Sequence, residues 1–120
     1  MWIFTQKGFL SIVRHIHKPN VLIVRSRFKG HIERIFSKAI VEEDATRDYH
    51  FRAELPVREV SEAIAKIISD INYPNFKNSL DMDDEKYFES CIDVYSVVVN
   101  HSGNWDFSQF NYLKEEFNEG

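Results

Sequence analysis

The spacing of apolar residues near the N-terminus predicts three β-strands that begin at the first residue. Met1–Thr5 and Phe9–His15 lie on either side of a tight turn, and Val21–Arg25 is a third apolar run. Gly8 suits the turn because glycine adopts backbone angles that other residues avoid. Since a chain terminus usually frays unless it is tied into a sheet, we expect the first strand to be an integral part of the fold.

Side chains alternate between the two faces of each predicted strand. In the second strand the two sets are Phe9, Ser11, Val13 and His15, and Leu10, Ile12 and Arg14. In the third strand they are Val21, Ile23 and Arg25, and Leu22, Val24 and Ser26. Both faces are apolar near the middle of the strands. We therefore expect helices to cover one face of the sheet and a further contact to cover the other.

The rest of the chain shows helical patterns and one further strand. Phe28–Ala39 predicts a short helix, residues 42–48 a polar loop, and Tyr49–Leu55 a fourth strand with period-two alternation. Pro56 suits the first turn of a long amphipathic helix that extends to Ile71. A third helix is predicted over Met82–Val99, where apolar residues recur at helical spacing.

These elements predict an α+β fold. We expect a single two-layer domain over residues 1–103, with a four-stranded, largely antiparallel sheet. The helices, chiefly Val57–Ile71 and Met82–Val99, are expected to pack on one face of that sheet. Residues 104–120 include Trp105 and Phe107 among several aromatic side chains, and we expect this segment to dock on the domain or on a partner.

Composition limits the classes of partner and compartment. The chain has 120 residues, 43% of them hydrophobic, and a net charge of −4, so it has no overall attraction to nucleic acid or anionic lipid. Its one cysteine, Cys91, excludes an intramolecular disulfide and is typical of a reducing compartment. We find no signal peptide and no apolar stretch of membrane-spanning length, and we expect a cytoplasmic protein without a membrane partner.

Five short pieces of the chain carry a resemblance. They are Trp2-Ile3-Phe4-Thr5, Gly8-Phe9-Leu10-Ser11, Asp48-Tyr49-His50-Phe51-Arg52, Tyr73-Pro74-Asn75-Phe76-Lys77 and Asp93-Val94-Tyr95-Ser96-Val97. Together they resemble a group of short uncharacterised bacterial proteins over roughly residues 1–100. The resemblance implies a compact bacterial domain. It implies no activity, so it assigns no catalytic residue.

Basic residues offer one candidate binding site. Arg14, Arg25 and Arg52 would cluster if their strands were neighbours, and Asn75 and Lys77 could add a polar rim. Guanidinium groups suit phosphate and carboxylate, which predicts a site for an anion or for nucleic acid. The alternative is ordinary ion pairing with Glu42, Glu43 and Glu54. The acidic overall charge favours this alternative.

Other arrangements of reactive side chains are weaker. His15 and His17 at strand spacing, together with His50, could bind zinc, but nothing in the sequence fixes a third ligand. We expect strand-end histidines without a ligand role, and no metal site. Cys91 lies among apolar residues, which predicts a buried thiol and not a nucleophile. No phosphate-binding loop and no serine nucleophile motif occurs, so we expect no cofactor and name no catalytic residue.

Three functional hypotheses remain open. The leading one is a small non-catalytic interaction or regulatory protein that associates with itself or a partner protein through its second sheet face, with Trp2, Phe4, Trp105 and Phe107 as interface residues. The second is an anion or nucleic-acid binder that uses the arginine cluster. The third is an enzyme whose site is assembled only in space, for which a histidine and a carboxylate within hydrogen-bond reach in a cleft would be the sign.

Overall fold

The computed structural model of the protein describes residues 1–103, which belong to two compact units. Met1–Asn72 forms the first unit, and the second begins at Tyr73. The first unit contains β1 (Trp2–Thr5), β2 (Gly8–Arg14), β3 (Val21–Ser26), α1 (His31–Ile35), β4 (Glu42–Glu43), β5 (Phe51–Pro56) and α2 (Val57–Ser69). The described part of the second unit contains α3 (Phe76–Ser79) and α4 (Glu85–His101).

The five described strands form one antiparallel sheet in the order β1-β2-β3-β5-β4. The predicted α+β class and antiparallel pairing are confirmed. The predicted number of four strands is wrong, because the sheet has five. The additional strand is β4, which lies inside the segment predicted to be a polar loop. Its two residues, Glu42 and Glu43, pair with Arg52 and Phe51 of β5. A strand of two residues is too short to show period-two alternation, so the sequence gives no sign of it.

Helices α1 and α2 cover one face of the sheet. The core between them and the sheet consists of Leu10, Ile12, Val24, Ile32, Phe36, Phe51, Ala53, Leu55 and Val60. Leu10, Val24 and Ile32 are completely buried. The strand residues of this core occupy alternate positions, as the period-two pattern predicts. The sheet therefore has one face that α1 and α2 cover. The side chains of this core do not project from its other face.

The turn between β1 and β2 is held by Thr5 and by a histidine from α1. The Thr5 hydroxyl accepts hydrogen bonds from the backbone N–H groups of Lys7 and Gly8 and donates one to the Gly8 carbonyl. The Phe9 N–H donates to Nδ1 of the buried His31 at 3.0 Å. A Cβ atom at Gly8 would lie only 2.6 Å from Cγ of His31, so this position has room for glycine alone.

The helices differ in length from the sequence predictions. Helix α1 has five residues, fewer than the predicted Phe28–Ala39, because Gly30 precedes it in a left-handed conformation and Phe36 leaves helical geometry to enter the core. Helix α2 buries Val60 and leaves Ile68 exposed. Helix α4 covers most of the predicted Met82–Val99 segment.

Within residues 1–103, no helix combines the length and the apolar character that crossing a bilayer requires. The predicted docking segment 104–120, with Trp105 and Phe107, lies outside the described residues.

Candidate functional site

A row of side chains crosses the sheet on the face opposite α1 and α2, which we call the open face. The ladder pairs Trp2 with Ser11, Ser11 with Arg25, Arg25 with Arg52, and Arg52 with Glu42. Directly paired residues of neighbouring strands project from the same face of a sheet. The row therefore runs from an aromatic end on β1, through two arginines on β3 and β5, to a carboxylate on β4.

Arg25 is fixed in place by two neutral neighbours. Its Nη2 donates a 2.8 Å hydrogen bond to Oγ of Ser11, a residue that is itself buried. Its guanidinium carbon lies 4.4 Å from the centroid of the Tyr49 ring, within the range of a cation–π contact. Its Nε is buried and has no hydrogen-bond partner. The positive charge of Arg25 is thus positioned but not neutralised.

Arg52 lies beside Arg25 and has fewer contacts. Its Nε is also buried without a hydrogen-bond partner. Within residues 1–103, neither Arg52 nor Arg25 takes part in an ion pair. Burial, together with the positive charges of Arg47 and Arg25, lowers the pKa of the Arg52 guanidinium. Arginine nevertheless keeps its charge in proteins, so the result is a pair of adjacent cations, here called the arginine pair.

Two of the carboxylates near the pair, Glu54 and Asp44, are engaged by other residues. Glu54 accepts hydrogen bonds from Nζ of Lys18 at 2.8 Å and from Nε2 of His15 at 3.0 Å. Asp44 binds the Thr46 hydroxyl and Arg47, and the Thr46 hydrogen bond holds the pKa of Asp44 below its usual value. The ordinary ion pairing that the acidic composition favours is therefore not what the described structure contains at Arg25 and Arg52.

Tyr49 connects the arginine pair to the aromatic end of the row. Its hydroxyl accepts a 2.9 Å hydrogen bond from Nε1 of Trp2, while its ring supports Arg25. The preceding residue, Asp48, accepts a hydrogen bond from Arg27 through its backbone carbonyl. These contacts hold the loop before β5 against the open face. Trp2 itself remains 71% exposed.

A cavity of about 580 Å³ lies beside Arg52. Its charged lining residues are Lys18, Glu42, Arg47, Arg52 and Glu54, and its other lining residues are Ile23, Ile40 and Ala53. A volume of this order is within the range of pockets that hold small molecules, which is about 300–1,000 Å³. Of the arginine pair, Arg52 lines the cavity and Arg25 does not.

One carboxylate of the cavity lining, Glu54, is hydrogen-bonded to His15, which gives the histidine–carboxylate pair that the enzyme hypothesis requires. Nδ1 of His15, however, accepts two hydrogen bonds, from the backbone N–H groups of His17 and Lys18 at 3.0 and 2.9 Å. The proton therefore lies on Nε2, which donates to Glu54. Nδ1 of His15 is occupied within the turn and Nε2 by Glu54 of β5, so the pair ties the chain between β2 and β3 to β5 and offers no free base to a substrate.

Three of the five predicted ligand-binding residues belong to the first unit, and the structure brings two of those three together. Arg25 and Arg52 are adjacent, whereas Arg14 pairs with Leu22 at the other end of β2, on the face that carries the core. Asn75 caps α3 by accepting a hydrogen bond from the Asn78 N–H, and Lys77 belongs to the same short helix. Among the predicted interface residues, Trp2 and Phe4 lie on the open face, and the Phe4 ring stacks on Phe9 with centroids 4.6 Å apart.

The other candidate chemistry does not assemble in the described part of the chain. Within residues 1–103, no three or more histidine, cysteine or acidic side chains form a group that could hold a metal ion. Cys91 is half-buried, and this burial raises the pKa of its thiol, which disfavours the reactive thiolate.

Sequence reasoning missed Tyr49 and Ser11 as parts of the site. The alternation of Tyr49–Leu55 places Tyr49 on the same side as Phe51, but β5 begins at Phe51, so Tyr49 is free of the ladder and reaches the open face. The pairing of Ser11 and Arg52 with Arg25 depends on strand order, which local patterns do not contain. The presence of an aromatic residue close before Arg52 was the one available signal.

Comparison with known proteins yields no match to any family model, to any curated protein or to any solved structure.

Proposed function

We propose that the protein is a binding module that recognises an anionic group, phosphate or carboxylate, through Arg25 and Arg52. The observation that supports this most is the arginine pair itself, two directly paired guanidinium groups with no ion pair within residues 1–103. Guanidinium groups bind both kinds of anion through parallel hydrogen bonds.

The energetics of the arginine pair favour a bound anion. Like charges directly opposite each other in a sheet are destabilising, and an unsatisfied buried N–H group costs about 1–3 kcal/mol. Arg25 and Arg52 have both features. An anion that accepts hydrogen bonds from both side chains removes the repulsion, and burial at this position strengthens the attraction relative to a fully exposed arginine.

Calorimetric titration with inorganic phosphate, and with acetate as a carboxylate probe, tests this proposal. We expect Arg25→Gln and Arg52→Gln each to weaken phosphate binding by about tenfold or more, because each removes a charge-assisted contact. Arg14→Gln is the matched control, since Arg14 is exposed and lies on the other face of the sheet. Equal phosphate affinities in the wild-type protein and all three variants would refute the proposal.

Self-association through the open face is the second candidate function. It is favoured by the 71% exposure of Trp2, a residue type enriched at interfaces. We expect the sedimentation coefficient to rise with protein concentration and to lose this dependence in Trp2→Ser. A wild-type protein that remains monomeric across the accessible concentration range would remove this candidate and leave anion binding unaffected.

The cellular setting is proposed on more general grounds. A bacterial, cytoplasmic protein is consistent with the resemblance of five short pieces of sequence and with a single cysteine.

A further inference from the structure

The aromatic end of the open-face row gives the anion site a second feature. Trp2 lies two strands away from Arg25, a distance on the order of 10 Å. The Nε1 bond to Tyr49 holds the edge of the indole, while 71% of the residue stays exposed. An indole that is anchored at its edge and exposed elsewhere is suited to stacking against a planar ring.

The row between Trp2 and the arginine pair is continuous. Ser11 lies directly between Trp2 and Arg25 in the ladder, and the Tyr49 side chain contacts both of them. Because Ser11 is buried, a ligand that spans the row passes over the Tyr49 side chain and meets a flat aromatic surface at one end and two guanidinium groups at the other. Such a ligand carries a planar ring and a compact anion, separated by a short polar linker.

We propose that Trp2 and the arginine pair together bind a single nucleotide, with its base stacked on Trp2 and its phosphate on Arg25 and Arg52. This inference rests on the proposed anion-binding function and names the ligand class. Stacking of a base on an aromatic side chain and contact of phosphate with arginine are both common means of nucleotide recognition.

The charge distribution favours a single nucleotide over a polymer. Binding to a nucleic-acid strand requires cations distributed along a groove, so that several phosphates are neutralised at once. Here the surroundings of the pair include Glu42, Asp44, Asp48 and Glu54, and the whole chain carries a net charge of −4. One phosphate on the arginine pair satisfies the site, whereas further phosphates would meet these carboxylates.

Tryptophan fluorescence allows a direct test in the 120-residue chain. Trp105→Phe leaves Trp2 as the single tryptophan, because the sequence contains two. The probes are AMP, UMP, ribose 5-phosphate, inorganic phosphate and a ten-residue oligouridylate. We expect AMP to quench Trp2 emission and to bind about tenfold more tightly than ribose 5-phosphate, which lacks the base.

Two variants separate the nucleotide inference from the anion proposal. In Trp2→Leu, followed by calorimetry, AMP and ribose 5-phosphate should bind equally while the affinity for inorganic phosphate is retained. In Arg52→Gln, all the phosphate-containing probes should bind more weakly. Thermal melting of each variant shows whether it is folded, and Trp2→Phe, which retains an aromatic ring, should recover part of the preference for AMP.

Three outcomes would contradict the inference in different ways. Equal binding of AMP and ribose 5-phosphate by the parent protein would overturn nucleotide recognition and leave anion binding intact. A lack of binding by every probe, inorganic phosphate included, would overturn both proposals. Binding of the oligouridylate much more tightly than UMP, with a steep dependence on salt, would replace the single nucleotide with a nucleic-acid strand.

Discussion

Arg52 combines two conditions that disfavour a charged side chain in a folded sheet. It is paired directly with Arg25, and its buried Nε–H has no acceptor. Burial and the neighbouring cations lower the pKa of its guanidinium, which shows that the environment opposes the charged form. Arg52 therefore lowers the stability of the fold by itself, and it has the geometry to bind an anion. Ligand binding explains such a residue better than a contribution to stability does.

Replacement of Arg52 by methionine should therefore stabilise the protein in the absence of ligand. Methionine keeps an unbranched apolar stem and removes both the repulsion and the unsatisfied donor. We expect the free energy of unfolding, measured with urea, to increase by about 0.5–1 kcal/mol. Arg58→Met is the control, because Arg58 is exposed and pairs with Glu62 on α2, and it should lower stability slightly or leave it unchanged. A large loss of stability in Arg52→Met would show that Arg52 has a structural role.

Gly8 occupies a position that has no room for a side chain. An alanine Cβ there would lie 2.6–2.8 Å from three atoms of His31, which is itself completely surrounded by protein. We expect Gly8→Ala to lower the free energy of unfolding by about 3 kcal/mol or more, because the buried ring must move. Gly30→Ala is the comparison, since its Cβ would meet no atom within 4 Å. Gly30→Ala should lower the free energy of unfolding by only about 1 kcal/mol, because alanine is disfavoured in the left-handed backbone conformation of this position. Similar losses in the two variants would contradict the assigned contact.

At the scale of elements, the chain between β2 and β3 is held to β5 by polar contacts. Nδ1 of His15 accepts hydrogen bonds from two backbone N–H groups in the turn, and Nε2 donates one to Glu54 of β5. Lys18 donates a hydrogen bond to the other oxygen of the same carboxylate. The Lys18 hydrogen bond, followed by that of His15, lowers the pKa of Glu54 below 4.5. The carboxylate is therefore more favourable in the folded protein than in the unfolded chain.

This arrangement gives a prediction about pH. A carboxyl group whose pKa is lowered by folding contributes stability above its unfolded pKa, and the contribution disappears as the pH falls through the lowered value. We expect wild-type protein to be more stable than Glu54→Gln at pH 7 and the difference to vanish progressively below about pH 4.5. Unfolding both proteins with urea at a series of pH values measures this difference in stability. A difference that is independent of pH would mean that the charge of Glu54 makes no contribution.

Several elements could be predicted from local pattern because each is long enough to show its period. The strands Trp2–Thr5, Gly8–Arg14 and Val21–Ser26 and the helix Val57–Ser69 are of this kind. The strand Glu42–Glu43 is too short, and the pairing of Arg25 with Arg52 joins residues 27 positions apart whose adjacency depends on strand order. The candidate site lies at that pairing, so its two arginines could be named from the sequence but their partnership could not.

At the scale of the whole molecule, the open face serves two proposed roles that exclude each other. Trp2 cannot stack on a ligand while it is covered by a second copy of the chain. Linkage requires that a ligand which binds only the uncovered face shifts an association equilibrium toward the monomer. If the protein self-associates, saturating AMP should lower its average sedimentation coefficient. An unchanged coefficient in the presence of bound AMP would place the contact between copies elsewhere.

The guanidinium resonances of the arginine pair give the most direct test of anion recognition. Titration of ¹⁵N-labelled protein with inorganic phosphate, followed through the Nε–Hε signals, reports on each arginine separately. The account predicts that the signals of Arg25 and Arg52 shift together along one binding curve, while those of Arg14 and Arg58 stay in place. Small shifts of equal size at all arginines, or none at Arg25 and Arg52, would contradict it.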